Sequence, residues 1–117
     1  MGTDRELLEA AAKAAGMKIH AARQAERDEE GCANSGLWIV NDSTCWNPLT
    51  DDGDALRLAV KLKIDLRNFH PNEVAAQFKL PNRPGWYEDS QDRTPDPYAA
   101  TRRAIVRAAA EIGKGMP

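Results

Sequence analysis

The chain has 117 residues, 42% of them apolar and 29% charged, with a formal net charge of −2. That length suits one domain with a packed core and leaves little room for a second. A charge so close to neutrality removes the general electrostatic reason to bind nucleic acid or an anionic membrane, so direct nucleic-acid binding is disfavoured.

Aromatic residues make up only 6% of the chain and alanine is heavily used, which points to a core of small side chains and close helix contacts. Charge is uneven: residues 1–60 hold 6 bases and 11 acids (−5), and 61–117 hold 10 bases and 7 acids (+3). No apolar run reaches spanning length and the N-terminus is charged, so the expectation is a cytoplasmic protein with no membrane contact.

The first expected element is a helix from about Asp4 to Ala15. Thr3 and Glu6 have the spacing of a capping box, Leu7, Leu8, Ala11, Ala14 and Ala15 recur at helical spacing, and Gly16 suits a left-handed closing residue. Met17–Ala22 reads as a strand, although helix propensity stays high through Ala25, and Glu26–Glu30 with Gly31 reads as a turn. Leu37-Trp38-Ile39-Val40 is the clearest strand, β-branched and aromatic between turn formers. It is expected to pair with the segment around Ile19, with Trp38 in the core.

Trp46-Asn47-Pro48 then leads into a helix capped by Thr50 or Asp51. Ala55, Leu58, Ala59 and Leu62 line one face, and Leu56 and Val60 widen it, which suggests a helix lying across a sheet. Ile64, Leu66 and Phe69 alternate in a strand, His70-Pro71-Asn72 turns the chain, and Glu73–Leu80 returns with Val74, Ala76 and Phe78 alternating. The Pro-, Gly- and Asp-rich stretch 81–95 reads as a long loop. Loops at about 26–36 and 81–95 are expected to be mobile. Asp96-Pro97 opens the last helix, cap followed by proline, which is expected to stop at Gly113. The order α-β-β-α-β-β-α describes a single α+β domain over 1–117, an antiparallel sheet with helices packed on it as a sandwich.

Three groups of residues invite a functional reading. Asp51, Asp52 and Asp54 surround Gly53 at a helix start, where carboxylates satisfy unpaired N–H groups and complement the helix dipole. They lack the spacing of a calcium loop, which wants its glycine at the sixth position and a distal glutamate, so the reading is a cap and no metal or cofactor is expected. Arg102, Arg103 and Arg107 on the last helix are either a solvated face, with Arg107 able to pair with Glu111, or a site for a small anionic ligand or acidic partner. Trp86 and Tyr87 in the polar loop have the character of anchors for a partner, and Trp46 either packs under the helix that follows it or lines a pocket. Cys32 and Cys45 are expected as reduced thiols, with a disulfide or a zinc site with His20 and His70 as alternatives. No catalytic motif joins these histidines, cysteines and serines.

Three segments, DRELLEAAAKAAG, WNPLTDDGDALRLAVKL and DPYAATRRAIVRAAAEIGK, resemble in order and spacing a family of small bacteriophage and prophage proteins, the phage α/β/α (ABA) sandwich domain proteins. They cover less than half the chain, and W-N-P-L followed by an acidic helix cap is their distinctive part. Arg23–Ser35 and Pro81–Thr94 depart from that pattern. The resemblance implies a sandwich of helices and sheet expressed inside a bacterium, and carries over no catalytic residue. Small accessory proteins of this sort commonly interfere with host systems, including nuclease-based immunity. The expected function is therefore a non-enzymatic binding protein directed at a host protein or complex, such as a CRISPR-type immune complex. A sponge for a nucleotide-type signal, using Arg102 or Arg103 with Trp46 or Trp86, and a virion or assembly component are the alternatives. A homodimer is compatible with each.

Overall fold

The computed structural model describes residues 4–29, 36–39, 45–69, 73–80, 83–90 and 96–116. They form a mixed α+β structure: helices α1 (Asp4–Ala14) and α2 (Ala21–Glu29), strands β1 (Leu37–Trp38) and β2 (Cys45–Trp46), helix α3 (Asp52–Leu62), strands β3 (Asp65–Phe69), β4 (Glu73–Leu80) and β5 (Arg83–Ser90), and helix α4 (Pro97–Lys114). The order is thus α-α-β-β-α-β-β-β-α, with one helix and one strand more than the sequence suggests. Both sheets are antiparallel, β1-β2 and β3-β4-β5.

α4 is the hub, in contact with β4 and β5 and with both α1 and α3. Alanines at 100, 104, 108, 109 and 110 are buried along it, and Leu7, Leu8, Ala11, Ala12 and Ala15 are buried from the α1 side. Arg103 faces Asp4, a Cβ on Gly113 would meet the backbone of Ala10, and Lys13 Nζ donates to the Met116 carbonyl. Rising numbers meet rising numbers, so the two helices run in the same direction. The buried residues on both sides are rich in alanine, and small side chains let backbones approach to the near end of ordinary helix spacing. Gly113 therefore does not end the helix. It lies inside α4, and Gly115 closes it.

Local signals hold at most helix ends. Gly16 sits at φ +73°, the Met17 N–H donates to Ala12 O at 2.9 Å and the Gly16 N–H to Lys13 O at 3.1 Å, a Schellman closure of α1. α3 closes the same way, with Ile64 N–H to Ala59 O at 2.9 Å and Lys63 N–H to Val60 O at 3.3 Å, except that the left-handed residue is Lys63 at φ 56°. Asp96 caps α4, its Oδ1 accepting from the Tyr98 and Ala99 N–H groups. The capping box at Thr3 lies outside the described residues.

The sequence pattern is followed closely in β3 and β4, where Leu66 stands opposite Ala76 and Asn68 opposite Val74. Val74, Ala76 and Phe78 are buried on the expected face, and Ala75 between them is buried as well. The 81–95 segment differs. Arg83–Ser90 is a strand, paired along its whole length with β4, and residues 91–95 lie outside the described residues. Proline tolerates that position because β5 is an edge strand, where an absent N–H can face solvent.

The segment after α1 differs too. Only Ile19 behaves as a strand residue, in an isolated antiparallel bridge to Ile39, and the following residues form α2 instead of a turn. The His20 N–H donates to Trp38 O at 2.8 Å, and His20 Nδ1 accepts from the Arg23 N–H at 3.2 Å. The helix docks through a buried polar residue, Gln24, whose Oε1 accepts the Trp38 N–H at 2.7 Å. Trp38 is half-buried, not core, with the Arg23 guanidinium 5.6 Å from its ring centroid, a cation–π distance. Among the described residues no helix is long and apolar enough to cross a membrane.

Candidate functional site

The corner where β2 enters α3 gathers most of the sequence-derived candidates. Trp46 is buried, and Gly36, at φ +100°, lies against it so closely that a Cβ there would strike the Trp46 carbonyl oxygen and stand 2.7 Å from Asn47 Cβ. Only glycine meets both demands. Buried Asn47 organises the turn: its carbonyl accepts from the N–H groups of Thr50 (3.1 Å) and Asp51 (2.9 Å), and its Oδ1 accepts from the Leu49 N–H at 3.1 Å.

Each of the three aspartates has a separate task. Asp51 is the N-cap, its Oδ2 accepting the Asp54 N–H at 2.8 Å. Asp54, with only 16% of its side chain exposed, accepts the Asn47 N–H at 3.0 Å through Oδ2 and binds Arg57 Nη2 at 2.7 Å through Oδ1. Asp52 reaches away from its neighbours to Arg102 Nη1 at 2.6 Å. The carboxylates are thus distributed around a helix end and do not converge on one point. Among the described residues no group of three or more His, Cys, Asp or Glu is placed to hold a metal ion.

Arg102 is the residue whose role the sequence conceals. Besides Asp52, it donates from Nε to the Leu49 carbonyl at 2.9 Å, so one guanidinium ties the turn and the start of α3 to α4. Its side chain is 17% exposed. The planar fork suits two acceptors at once, and nothing local in RRAIVR signals that acceptors 50 and 53 residues away await it. Arg103 points to α1 instead, with Nη1 3.4 Å from Asp4 Oδ1. Arg107 is half-buried on the same helix, and Glu111 lies 3.6 Å from Lys114.

Trp86 and Tyr87 stand on β5, in register with Gln77 and Ala76 respectively, and not on a loop. His20 and Cys45 flank the same residue from opposite sides, since His20 hydrogen-bonds Trp38 O and Cys45 is the register partner of Trp38. Ideal strand spacing puts their backbones about 10 Å apart. Cys32 and His70 lie outside the described residues. Among the described residues, the large apolar side chains left exposed are Leu56 (61%), Val60 (69%) and Tyr98 (70%). For Leu56 and Val60 this reverses the sequence reading: α3 packs on α4, a narrow contact that needs only Ala55, Leu58 and Ala59. Set against protein-family models, curated proteins and solved structures, the chain matches none.

Proposed function

We propose that the chain is a small phage or prophage accessory protein, of the α/β/α sandwich family that its three segments resemble. It acts in the bacterial cytoplasm by binding a host protein, with a CRISPR-type immune complex as the target. One observation favours a protein partner over a small ligand. Three of the groups that a nucleotide-like anion would use are already engaged: Arg102 with Leu49 and Asp52, Arg103 with Asp4, and Trp46 in the core. Releasing either arginine for a ligand would break a contact between helices. Tyr98, 70% exposed where α4 begins, is instead the kind of amphipathic side chain that anchors protein contacts.

The test is the plating of a phage on a bacterium whose CRISPR-type immunity targets it. Expression of the chain should raise plating by orders of magnitude, and Tyr98→Ala should weaken the effect while leaving the fold unchanged. Plating that stays at the immune level would reject the target. A thermal-shift screen with cyclic and linear nucleotides should be flat. A sponge at 100 times its dissociation constant would instead gain about 2.7 kcal/mol of stability, visible as a clear rise in Tm.

A further inference from the structure

The sheet β3-β4-β5 has two edges. β5 contains Pro84, whereas β3 contains no proline. Pro84 also fixes which way each backbone faces. It has no N–H, so its pair with Lys79 is of the kind that exchanges no hydrogen bonds, and in an antiparallel ladder the two kinds alternate. Val74, Ala76 and Phe78 therefore direct their N–H and C=O groups to β5, and Ala75 and Gln77 direct theirs to β3. In the next ladder Ala75 meets Arg67 and Gln77 meets Asp65. Leu66 and Asn68 are left with backbone groups that point away from β4. Among the described residues no strand pairs with that edge. Asp65 and Arg67 are exposed on one face of β3, and Leu66, on the other, is half-buried against the core.

We propose that β3 pairs antiparallel with β3 of a second copy, Leu66 opposite Leu66, joining two three-stranded sheets into one. Because only Leu66 and Asn68 face outward, three two-fold registers are open. Leu66 opposite Asn68 sets Arg67 against Arg67, and like charges directly opposite are destabilising. Asn68 opposite Asn68 leaves Asp65 beyond the end of the other strand. Leu66 opposite Leu66 sets Asp65 against Arg67 of the second copy, and the two-fold axis makes the same pair again. Both fall at pairs without hydrogen bonds, where side chains stand closest. This self-complementary charge pattern selects a second copy as the occupant. Asp65 has no ion pair among the described residues. Arg67 has a contact within its own chain, and the five donors of its fork serve that contact and Asp65 together. Ile64, next along, has its N–H committed to Ala59 O at 2.9 Å, so the new ladder is short. It buries far less than a standard interface, and the dissociation constant is on the order of 100 µM. The proposal goes beyond the reading of a host partner and does not depend on it.

Sedimentation equilibrium of the full chain, from about 10 µM to about 1 mM, should show the mass rising toward that of a dimer. Over the same range exchange of the Leu66 amide should slow about fourfold, as the share of chains with an open edge falls. Exchange of the Trp38 amide, held by Gln24 away from this sheet, should not change. D65R alone and R67D alone should each self-associate about tenfold more weakly, because two attractive pairs become repulsive. An equimolar mixture of the two should recover association, since one copy is then basic at both positions and the other acidic at both. Circular dichroism checks that each variant folds, and the wild-type series stands without them. A wild-type chain monomeric at the highest concentration would overturn the proposal. So would Leu66 exchange that ignores concentration, D65R association as tight as wild type, or a mixture of folded variants no more associated than its components.

Discussion

Gly113→Ala sets two opposing effects against each other at one atom. In a solvent-exposed helix interior the change would stabilise by about 1 kcal/mol, since alanine loses less backbone freedom than glycine. Here the new Cβ would overlap the Ala10 carbonyl oxygen and stand 2.9 Å from the carbonyl carbon. That obstacle is backbone, so no rotamer change relieves it and α1 must move away from α4. Overpacking of this kind costs about 1–3 kcal/mol. A seam opened by half an ångström or more also forfeits about a quarter or more of each dispersion contact along it, which places the cost at the upper end of that range. The net expectation is a loss of about 2 kcal/mol, or roughly 6–12 °C in Tm for a domain of this size. Urea unfolding followed by circular dichroism measures it. Removing the Ala10 side chain as well (Ala10→Gly) should give no rescue, because the clash is with the main chain. A G113A protein as stable as wild type, or one restored by that second change, would refute the reasoning.

The aspartates should separate by task. Asp51→Ala removes a cap and should cost about 1 kcal/mol. Asp54→Ala leaves the N–H of buried Asn47 without this acceptor and should cost about 1–3 kcal/mol, and Asp52→Ala removes an exposed ion pair worth less than about 1 kcal/mol. Equal losses in thermal unfolding would contradict this ordering. Arg102→Lys keeps the charge but cannot hold the Leu49 carbonyl and Asp52 together, so it should lose about 1 kcal/mol, with faster amide exchange in the first turn of α3. Lys63→Gly relieves a left-handed conformation in a residue that has a Cβ, and should raise stability by about 1 kcal/mol in the same unfolding assay. Gln24→Ala strips the Trp38 N–H of its acceptor; amide exchange at Trp38 should accelerate while that at Val106, deep in α4, stays slow.

What could be read from the sequence is what short-range chemistry decides. The cap at Asp51, the Asp96-Pro97 start, the closure at Gly16 and the alternation through β4 each depend on residues within one turn or one strand of one another. The misreadings share a different cause. α2 has no apolar stripe and docks through Gln24, a residue that periodicity counts as surface. β5 contains Pro84, Gly85 and Asp89, which signal a turn until β4 is available to pair with them, since strand preference follows neighbours more than composition. Leu56 and Val60 match a buried face at helical spacing, yet α3 meets another helix, which covers a narrower arc than a sheet does. Within the candidate site, the seating of the aspartates was legible and the double duty of Arg102 was not, because its acceptors come from a distant part of the chain.

The parallel pairing of α1 with α4 bears on how the molecule is made. Asp4 and Arg103 are 99 residues apart, so the apolar stripe of α1 leaves the ribosome long before its permanent cover exists. At about 5–20 residues per second, Leu7 and Leu8 wait roughly 5–20 seconds for the alanines of α4, and until then they are open to chaperones or to other nascent chains. Shortening that wait, by joining α4 ahead of α1 in a circular permutant, should raise soluble yield without altering a single contact in the finished protein.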